Sequence, residues 1–345
     1  MPTPARQPVV FQNIQGARAL AALAVVGYHM GMLPSGQAGV DVFFVISGFI
    51  MSCVAPREGR DFLRKRLIRI VPLYWLTTLG VFAIALVRPQ WLNSTTAGLD
   101  YLLKSLLFIP YVKANGHWGP LNLNGWTLEY EMLFYVVIAA SLALVRARHA
   151  TAFAALLLAL FCAYVAAGGP AGAVMSHLGT PFVLEFGFGV LAYRTLQSRA
   201  VGRIPTETWV AVAAASLAAI PLVHALTGTP AGLARAVGWG GSACLFIVAL
   251  VALDLRGRTI RNATVARLGA ASYSIYLLHP YVIGIAGKIV GVRPDFGSWQ
   301  GIATALAVLA IVCASGHACH VWVDQPMLAA LNRRLRGTKR ATARP

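Results

Sequence analysis

Apolar residues come in runs of about 17 to 24 along nearly the whole chain, separated by short polar or basic segments. A helix of that length crosses roughly 30 Å of hydrocarbon, because each residue adds about 1.5 Å. The pattern predicts an all-α protein, a polytopic membrane helix bundle of about ten transmembrane helices. The predicted spans cover about 15–33, 39–56, 70–88, 126–146, 150–168, 178–196, 207–227, 233–253, 271–290 and 300–323. A shorter run at 99–112 predicts a re-entrant or interfacial helix.

The composition agrees with a protein that lies in lipid. Hydrophobic residues make up 58% of the 345 residues, charged residues make up 12%, and the mean hydropathy is +0.67. We therefore expect one integral-membrane domain over residues 1–345, of which 324–345 form a short basic tail. The five cysteines show no metal-ligand spacing, so no metal site is predicted.

Basic residues indicate the orientation of the bundle. With an even number of spans, both termini and every second loop lie on one side, and 22 of the 29 Lys and Arg residues fall there. Positive charge concentrates in cytoplasmic loops, so both termini are predicted to be cytoplasmic. The net charge of +18 then reflects contact with anionic headgroups of the bilayer, and nucleic acid is not an expected partner.

The first span carries two residues that are expensive in hydrocarbon, Arg18 and His29. Eleven residues separate them, which places them on one helical face, about 20° apart in angle and about 16 Å apart in depth. Arg18 should lie in the inner third of the membrane and His29 in the outer third. They could act together on one ligand, or Arg18 could reach the inner headgroups while His29 caps the outer end.

Acidic residues are predicted near the same outer level as His29. Asp41 follows it across a short loop and could fix its tautomer, although an aspartate in the first helical turn also suits the helix dipole. Glu129 and Glu131 begin the fourth span, and their spacing allows only one of them to face the bundle centre. Glu185 lies in the sixth span.

Two further groups are predicted at the inner side and in the ninth span. Arg66 and Arg69 share a helical face, which suits either membrane anchoring or bidentate binding of a phosphorylated cytoplasmic ligand. His279 should lie in the membrane, either as a functional group or in a local helix break before Pro280. The polar residues one to two turns before it are Ser272, Tyr273 and Tyr276.

These motifs resemble the membrane acyltransferase 3 family, in its exopolysaccharide and O-antigen acetyltransferase branch, over essentially the whole chain. An arginine with a histidine eleven residues on occurs here as Arg18 and His29, and GVDVFFVISGF carries Asp41. RLIRIVPLYW contains the basic pair, WTLEYEMLFY contains Trp126 and favours Glu131 over Glu129, and SYSIYLLHP contains His279. The closing ExP motif of the family departs here to Asp324, Gln325 and Pro326, which leaves the role of the acidic position open.

The resemblance implies transfer of an acyl group, with acetyl expected, from acyl-CoA to a sugar hydroxyl of an exopolysaccharide, O-antigen or lipid-linked glycan at a bacterial inner membrane. His29 would then be the general base, with Asp41 or Glu131 at its other ring nitrogen. Arg18, Arg66 and Arg69 would bind the CoA phosphates. The alternative is a proton-coupled transporter or flippase that uses the same intramembrane residues.

Overall fold

The computed structural model describes residues 11–92, 97–113, 116–290 and 294–342. This part of the chain is helical apart from turns, loops and one isolated bridge between Val112 and Trp118. The helices are α1 Gln12–His29, α2 Gly39–Glu58, α3 Phe62–Val87, α4 Leu99–Leu106, α5 Gly125–Leu144, α6 Ala150–Ala166, α7 Ala173–Leu178, α8 Phe182–Leu196, α9 Arg199–Arg203, α10 Thr206–Thr227, α11 Gly232–Arg235, α12 Gly241–Asp254, α13 Ala263–Val290, α14 Trp299–Cys319 and α15 Gln325–Thr342. The all-α prediction is confirmed.

A helix occupies each of the predicted spans, but several helices are longer than the apolar runs. Helix α3 begins at Phe62 rather than near 70, and α13 begins at Ala263 rather than near 271. A π-turn, His320–Asp324, joins α14 to α15, so helix continues into the basic tail. Seven helical stretches among the described residues are long and apolar enough to cross a membrane. The count of ten and the side of the termini stay predictions.

The run at 99–112 forms only the eight-residue α4, after which the chain is not helical. A helix of that length rises only about 12 Å, far less than a hydrocarbon core. This agrees with the prediction that the run is not a full span.

Helix α2 lies at the centre of the bundle, in contact with α1, α5, α6, α8 and α12. Its closest approach is to α8, at Gly48 and Gly189. A Cβ atom on Gly48 would lie 2.0 Å from the carbonyl oxygen of Phe186, and one on Gly189 would lie 2.1 Å from that of Val45. Only glycine permits this backbone contact, which is how small residues bring membrane helices together.

Helix α13 packs against α1 and α14 and runs through Pro280 without a break. Proline has no N–H, so it leaves the carbonyl of the residue four positions earlier, Tyr276, without its helical donor. The side-chain amide of Asn124, just before α5, donates a hydrogen bond to that carbonyl. The predicted alternative of a helix break at Pro280 is therefore wrong, because Asn124 replaces the missing donor and ties α5 to α13.

Candidate active site

A cavity of about 220 Å³ lies between α1, α2, α3, α5 and α13. It lies toward the end of the bundle where α1 and α3 begin, which we call the basic end. Its polar lining comes from four helices, α1, α3, α5 and α13, and from the serine of the GVDVFFVISGF motif on α2. These polar residues are Arg18, Ser47, Arg66, Arg69, Thr127, Glu131, Tyr135, Ser272, Tyr273 and Tyr276.

The basic pair on α3 lines this cavity, as its shared helical face predicts. Each guanidinium is held by one carboxylate. Arg66 Nη2 donates to both oxygens of Glu58, at 2.9 and 3.0 Å. Arg69 Nη1 donates to both oxygens of Asp324, at 3.2 and 2.9 Å. The two arginines are thus ordered at the mouth of a cavity, which exceeds what membrane anchoring alone requires.

Arg18 points into the same cavity from α1. Its Nε donates to the hydroxyl of Ser272 on α13, at 3.1 Å, and Ser272 is fully buried. The alternative in which Arg18 only reaches the headgroups does not describe this side chain, because its guanidinium is bonded inside the bundle. Three guanidinium groups from two helices therefore meet at one cavity.

Glu131 is the one carboxylate among the described residues that line the cavity. It accepts hydrogen bonds from Ser47, at 3.1 Å, and from the hydroxyl of Tyr135. Glu129 points elsewhere, with its Oε2 atom 3.9 Å from His177 Nε2. The two glutamates therefore face different sides of α5, as their spacing predicts, and Glu131 belongs to the arginine-lined cavity.

His29 and His279 form a pair outside the cavity lining, next to Tyr276. Their ring centroids are 5.0 Å apart. His279 is fully buried, with Nδ1 3.3 Å from the Ile275 carbonyl, whereas His29 is exposed. Tyr276 lines the cavity, and its ring centroid is 5.9 Å from that of His279. The spatial order of these side chains, from the cavity outward, is thus Tyr276, His279 and His29.

Arg18 and His29 both contact α13, through Ser272 and His279 respectively. The prediction that they share one face of α1 is confirmed. This face is directed at a single neighbouring helix, α13.

Asp41 has a partner that the sequence analysis missed. Arg235 donates to it from Nε, at 3.0 Å, and from Nη2, at 2.8 Å. Both side chains are buried, and the guanidinium carbon of Arg235 lies 4.8 Å from each of the Phe182 and Trp239 ring centroids. A bidentate pair of this kind fixes the geometry of both groups.

The structure brings neither predicted carboxylate to His29. Asp41 is engaged by Arg235, and Glu131 is turned into the cavity by Ser47 and Tyr135. This corrects the expected pairing with His29. The sequence did contain a signal for this pair. Arg235 is a lone arginine at the start of an apolar span, on the same predicted side of the membrane as Asp41.

The remaining candidates divide between the cavity and the surrounding packing. Tyr273 donates its hydroxyl to the Ile70 carbonyl, at 2.8 Å, with its ring 5.5 Å from the Arg69 guanidinium carbon. Tyr276 and Thr127 hydroxyls lie 3.0 Å apart. Trp126 packs on Phe182 and is not part of the lining. Glu185 is fully buried, and neither of its oxygens has a hydrogen-bond partner among the described residues.

The structure is thus a bundle of long apolar helices with an arginine-lined internal cavity and a histidine pair next to it. The family model described as "Acyltransferase domain" matches residues 11–318. The chain therefore belongs to the acyltransferase 3 family and is an integral-membrane acyltransferase.

Three relatives illustrate the similarity. The exopolysaccharide production protein ExoZ of Rhizobium meliloti is 34% identical over 310 residues, covering 88% of this chain and 92% of that protein. The acyltransferase MdmB of Streptomyces mycarofaciens is 27% identical over 376 residues, covering 93% and 92%. The peptidoglycan O-acetyltransferase OatA of Listeria monocytogenes is 28% identical over 143 residues, covering 36% and 23%. No solved structure matches the chain.

Proposed function

We propose that the protein transfers an acyl group, with acetyl expected, from acyl-CoA to a sugar hydroxyl of an exopolysaccharide, O-antigen or lipid-linked glycan in a bacterial inner membrane. The observation that carries the proposal is the cavity at the basic end, where Arg18, Arg66 and Arg69 converge. The names of ExoZ and OatA, an exopolysaccharide production protein and a peptidoglycan O-acetyltransferase, support the acceptor class.

The chemistry of the cavity suits a CoA donor. Guanidinium groups bind phosphate oxygens through paired, charge-assisted hydrogen bonds, and CoA carries several phosphates. Arg66 and Arg69 lie at the basic end, where a donor from the cytoplasm would enter, and Arg18 lines the same cavity from α1. The apolar part of the lining, which includes Phe43 and Phe44, would accept the uncharged arm of the donor.

The histidine pair supplies the base for the acceptor. A sugar hydroxyl becomes an adequate nucleophile when a neutral imidazole removes its proton as the oxygen attacks the thioester carbonyl. The C–O bond forms, the C–S bond breaks, and CoA leaves as the thiolate, which then takes up the proton. His29 is the proposed base because it is the exposed member of the pair, and His279 packs behind it.

The carboxylates take separate roles in this proposal. Glu131 lies in the donor cavity with the three arginines, and Ser47 and Tyr135 fix its orientation. Asp41 acts through Arg235 to hold the ends of α2 and α11 together. Neither is the direct partner of the base.

The test is an assay of the purified protein in detergent with radiolabelled acetyl-CoA and an oligosaccharide acceptor. We expect acceptor-dependent release of CoA and labelled, base-labile ester on the sugar. A protein that leaves acetyl-CoA intact but moves substrate across proteoliposomes in response to a pH gradient would instead be a transporter.

Removing the cavity arginines should weaken use of the donor selectively. We expect Arg18→Ala, and the double variant Arg66→Ala with Arg69→Ala, to raise the KM for acyl-CoA much more than that for the acceptor. Each lost charge-assisted contact should cost about 1.5–3 kcal/mol, or roughly 10- to 150-fold. Steady-state kinetics in which each substrate is varied in turn measure both constants.

Arg60→Ala is the matched control for these variants. Arg60 is exposed, lies in the short segment just before α3 and does not line the cavity, so its loss should leave both KM values unchanged. Equal weakening for donor and acceptor in the cavity variants would mean that these arginines serve folding. Membrane orientation must be checked for each variant, because basic residues also set topology.

A further inference from the structure

We propose that Asp324 is a positioning residue that holds Arg69 in the orientation needed to bind the donor, and that the π-turn His320–Asp324 exists to present it. The inference rests on the proposed function, since it concerns how one arginine of the donor cavity is ordered. It also assigns a role to the acidic position of the closing motif, which the sequence left open.

The side chains of Asp324 and Arg69 differ in how deeply they are buried. The Asp324 side chain is 1% exposed, whereas that of Arg69 is 33% exposed. Both hydrogen bonds use the Nη1 atom of Arg69, which leaves Nε and Nη2 outside this contact. A buried carboxylate thus binds one edge of the guanidinium. The other edge remains available to a ligand in the cavity, which Arg69 lines.

Asp324 is itself fixed by its neighbours on the last helix. His320 Nδ1 lies 3.0 Å from Asp324 Oδ2, and Gln325 Nε2 lies 3.1 Å from His320 Nε2. An amide N–H can only donate, so His320 accepts at Nε2 and donates its Nδ1 proton to the carboxylate. A directed chain of hydrogen bonds runs from Gln325 through His320 to Asp324, which also accepts from Arg69.

The backbone explains why these side chains meet. The segment from His320 to Asp324 is a π-turn between α14 and α15. Such turns widen a helix locally and occur often at functional sites, because they redirect side chains that a regular helix would place elsewhere. Here both His320 and Asp324 are buried. The π-turn therefore turns the two polar groups inward, toward α3.

A second contact limits the remaining freedom of Arg69. The ring of Tyr273 lies under the guanidinium, with 5.5 Å from its centroid to the guanidinium carbon, and its hydroxyl is anchored on the Ile70 carbonyl. A long side chain that is already ordered loses less conformational entropy when it binds a ligand. Asp324 and Tyr273 together preorganise Arg69.

The experiment is a double-mutant cycle on donor kinetics in the full-length protein. Asp324→Asn keeps the size of the side chain and removes its charge, and we expect it to raise the KM for acyl-CoA roughly ten-fold. The kcat and the KM for the acceptor should change little. In an Arg69→Ala background, Asp324→Asn should have no further effect, because it acts through the arginine that is already gone.

Two further variants separate positioning from folding. Asp324→Glu, the residue of the family motif, should restore the donor KM toward that of the unsubstituted protein. Asp100→Asn, which removes an exposed carboxylate that is 3.6 Å from Lys104 and does not line the cavity, is the control and should change no kinetic constant. Size-exclusion profiles and thermal unfolding in detergent monitor the fold of each variant.

The outcomes distinguish this inference from the proposed function. An Arg69→Ala variant with an unchanged KM for acyl-CoA would contradict the assignment of Arg69 to the donor site. If Arg69→Ala raises that KM while Asp324→Asn does not, the positioning role is wrong. It is equally wrong if Asp324→Asn adds its own loss in the Arg69→Ala background, since Asp324 would then act independently of the arginine.

Discussion

Replacing His29 by alanine should abolish acyl transfer while leaving the protein folded, inserted and able to bind its donor. A positioned general base contributes roughly 10²- to 10⁴-fold to the rate, so the loss should exceed that of any single arginine of the cavity. Donor binding should persist because His29 is not part of the cavity lining, which holds Arg18, Arg66 and Arg69. Single-turnover assays with labelled acetyl-CoA and a separate measurement of CoA binding test the two halves of this prediction.

His149→Ala is a matched control, since His149 is an exposed histidine in a loop at the basic end. His279→Gln should weaken transfer less than His29→Ala if His279 only packs against the base. A His29→Gln variant with undiminished turnover would end the proposal for His29. The role of the base would then pass to His279, the other member of the pair, or to Glu131.

The helices could be predicted because hydrocarbon imposes a minimum length on apolar runs, and the sequence meets it repeatedly. Their starts could not always be predicted. Helix α3 begins in the basic turn at Phe62, and α13 begins at Ala263, ahead of Arg267, where charge lowers the hydropathy without disfavouring helix. Arginine and lysine are good helix formers, so helix propensity carries these segments past the apolar boundary.

The arginines of the cavity could be predicted from the sequence, because spacing along a single helix shows which residues share a face. Arg66 and Arg69 share a face by their spacing, and Arg18 shares a face with His29. Partners that come from distant parts of the chain could not be predicted. Spacing along one helix carries no information about which neighbour a side chain will meet.

Asp41 and Arg235 show this limit most clearly. They are 194 residues apart in sequence. The prediction had placed Asp41 beside His29 only because both were expected at the same depth in the membrane. The structure places Arg235 against Asp41 because two buried charges are tolerated only when they neutralise one another. Asp324 and Arg69, 255 residues apart, form a second ion pair between distant parts of the chain, in which only the carboxylate is buried. In both cases the missing information was a tertiary contact between helices.

The protein should consume acyl-CoA from the cytoplasmic side and deliver the acyl group to a glycan at the outer side. The arginines of the cavity lie at the basic end, which the positive-inside rule assigns to the cytoplasm. His29 ends α1 at the opposite end, about 16 Å further along the helix axis than Arg18. One donor that reaches from the arginines toward the histidine pair would place its thioester where an acceptor arrives from outside.

Proteoliposomes of defined orientation test this directly. Acyl-CoA is supplied on one side and a membrane-impermeant acceptor on the other, with His29→Ala protein as the inactive control. We expect labelled product only when acyl-CoA faces the basic loops and the acceptor faces the opposite side, because the two substrates approach opposite ends of α1. Product that forms only with both substrates on the basic side would contradict transfer across the membrane. The acyltransferase assignment would stand, and the acceptor would be modified before its export.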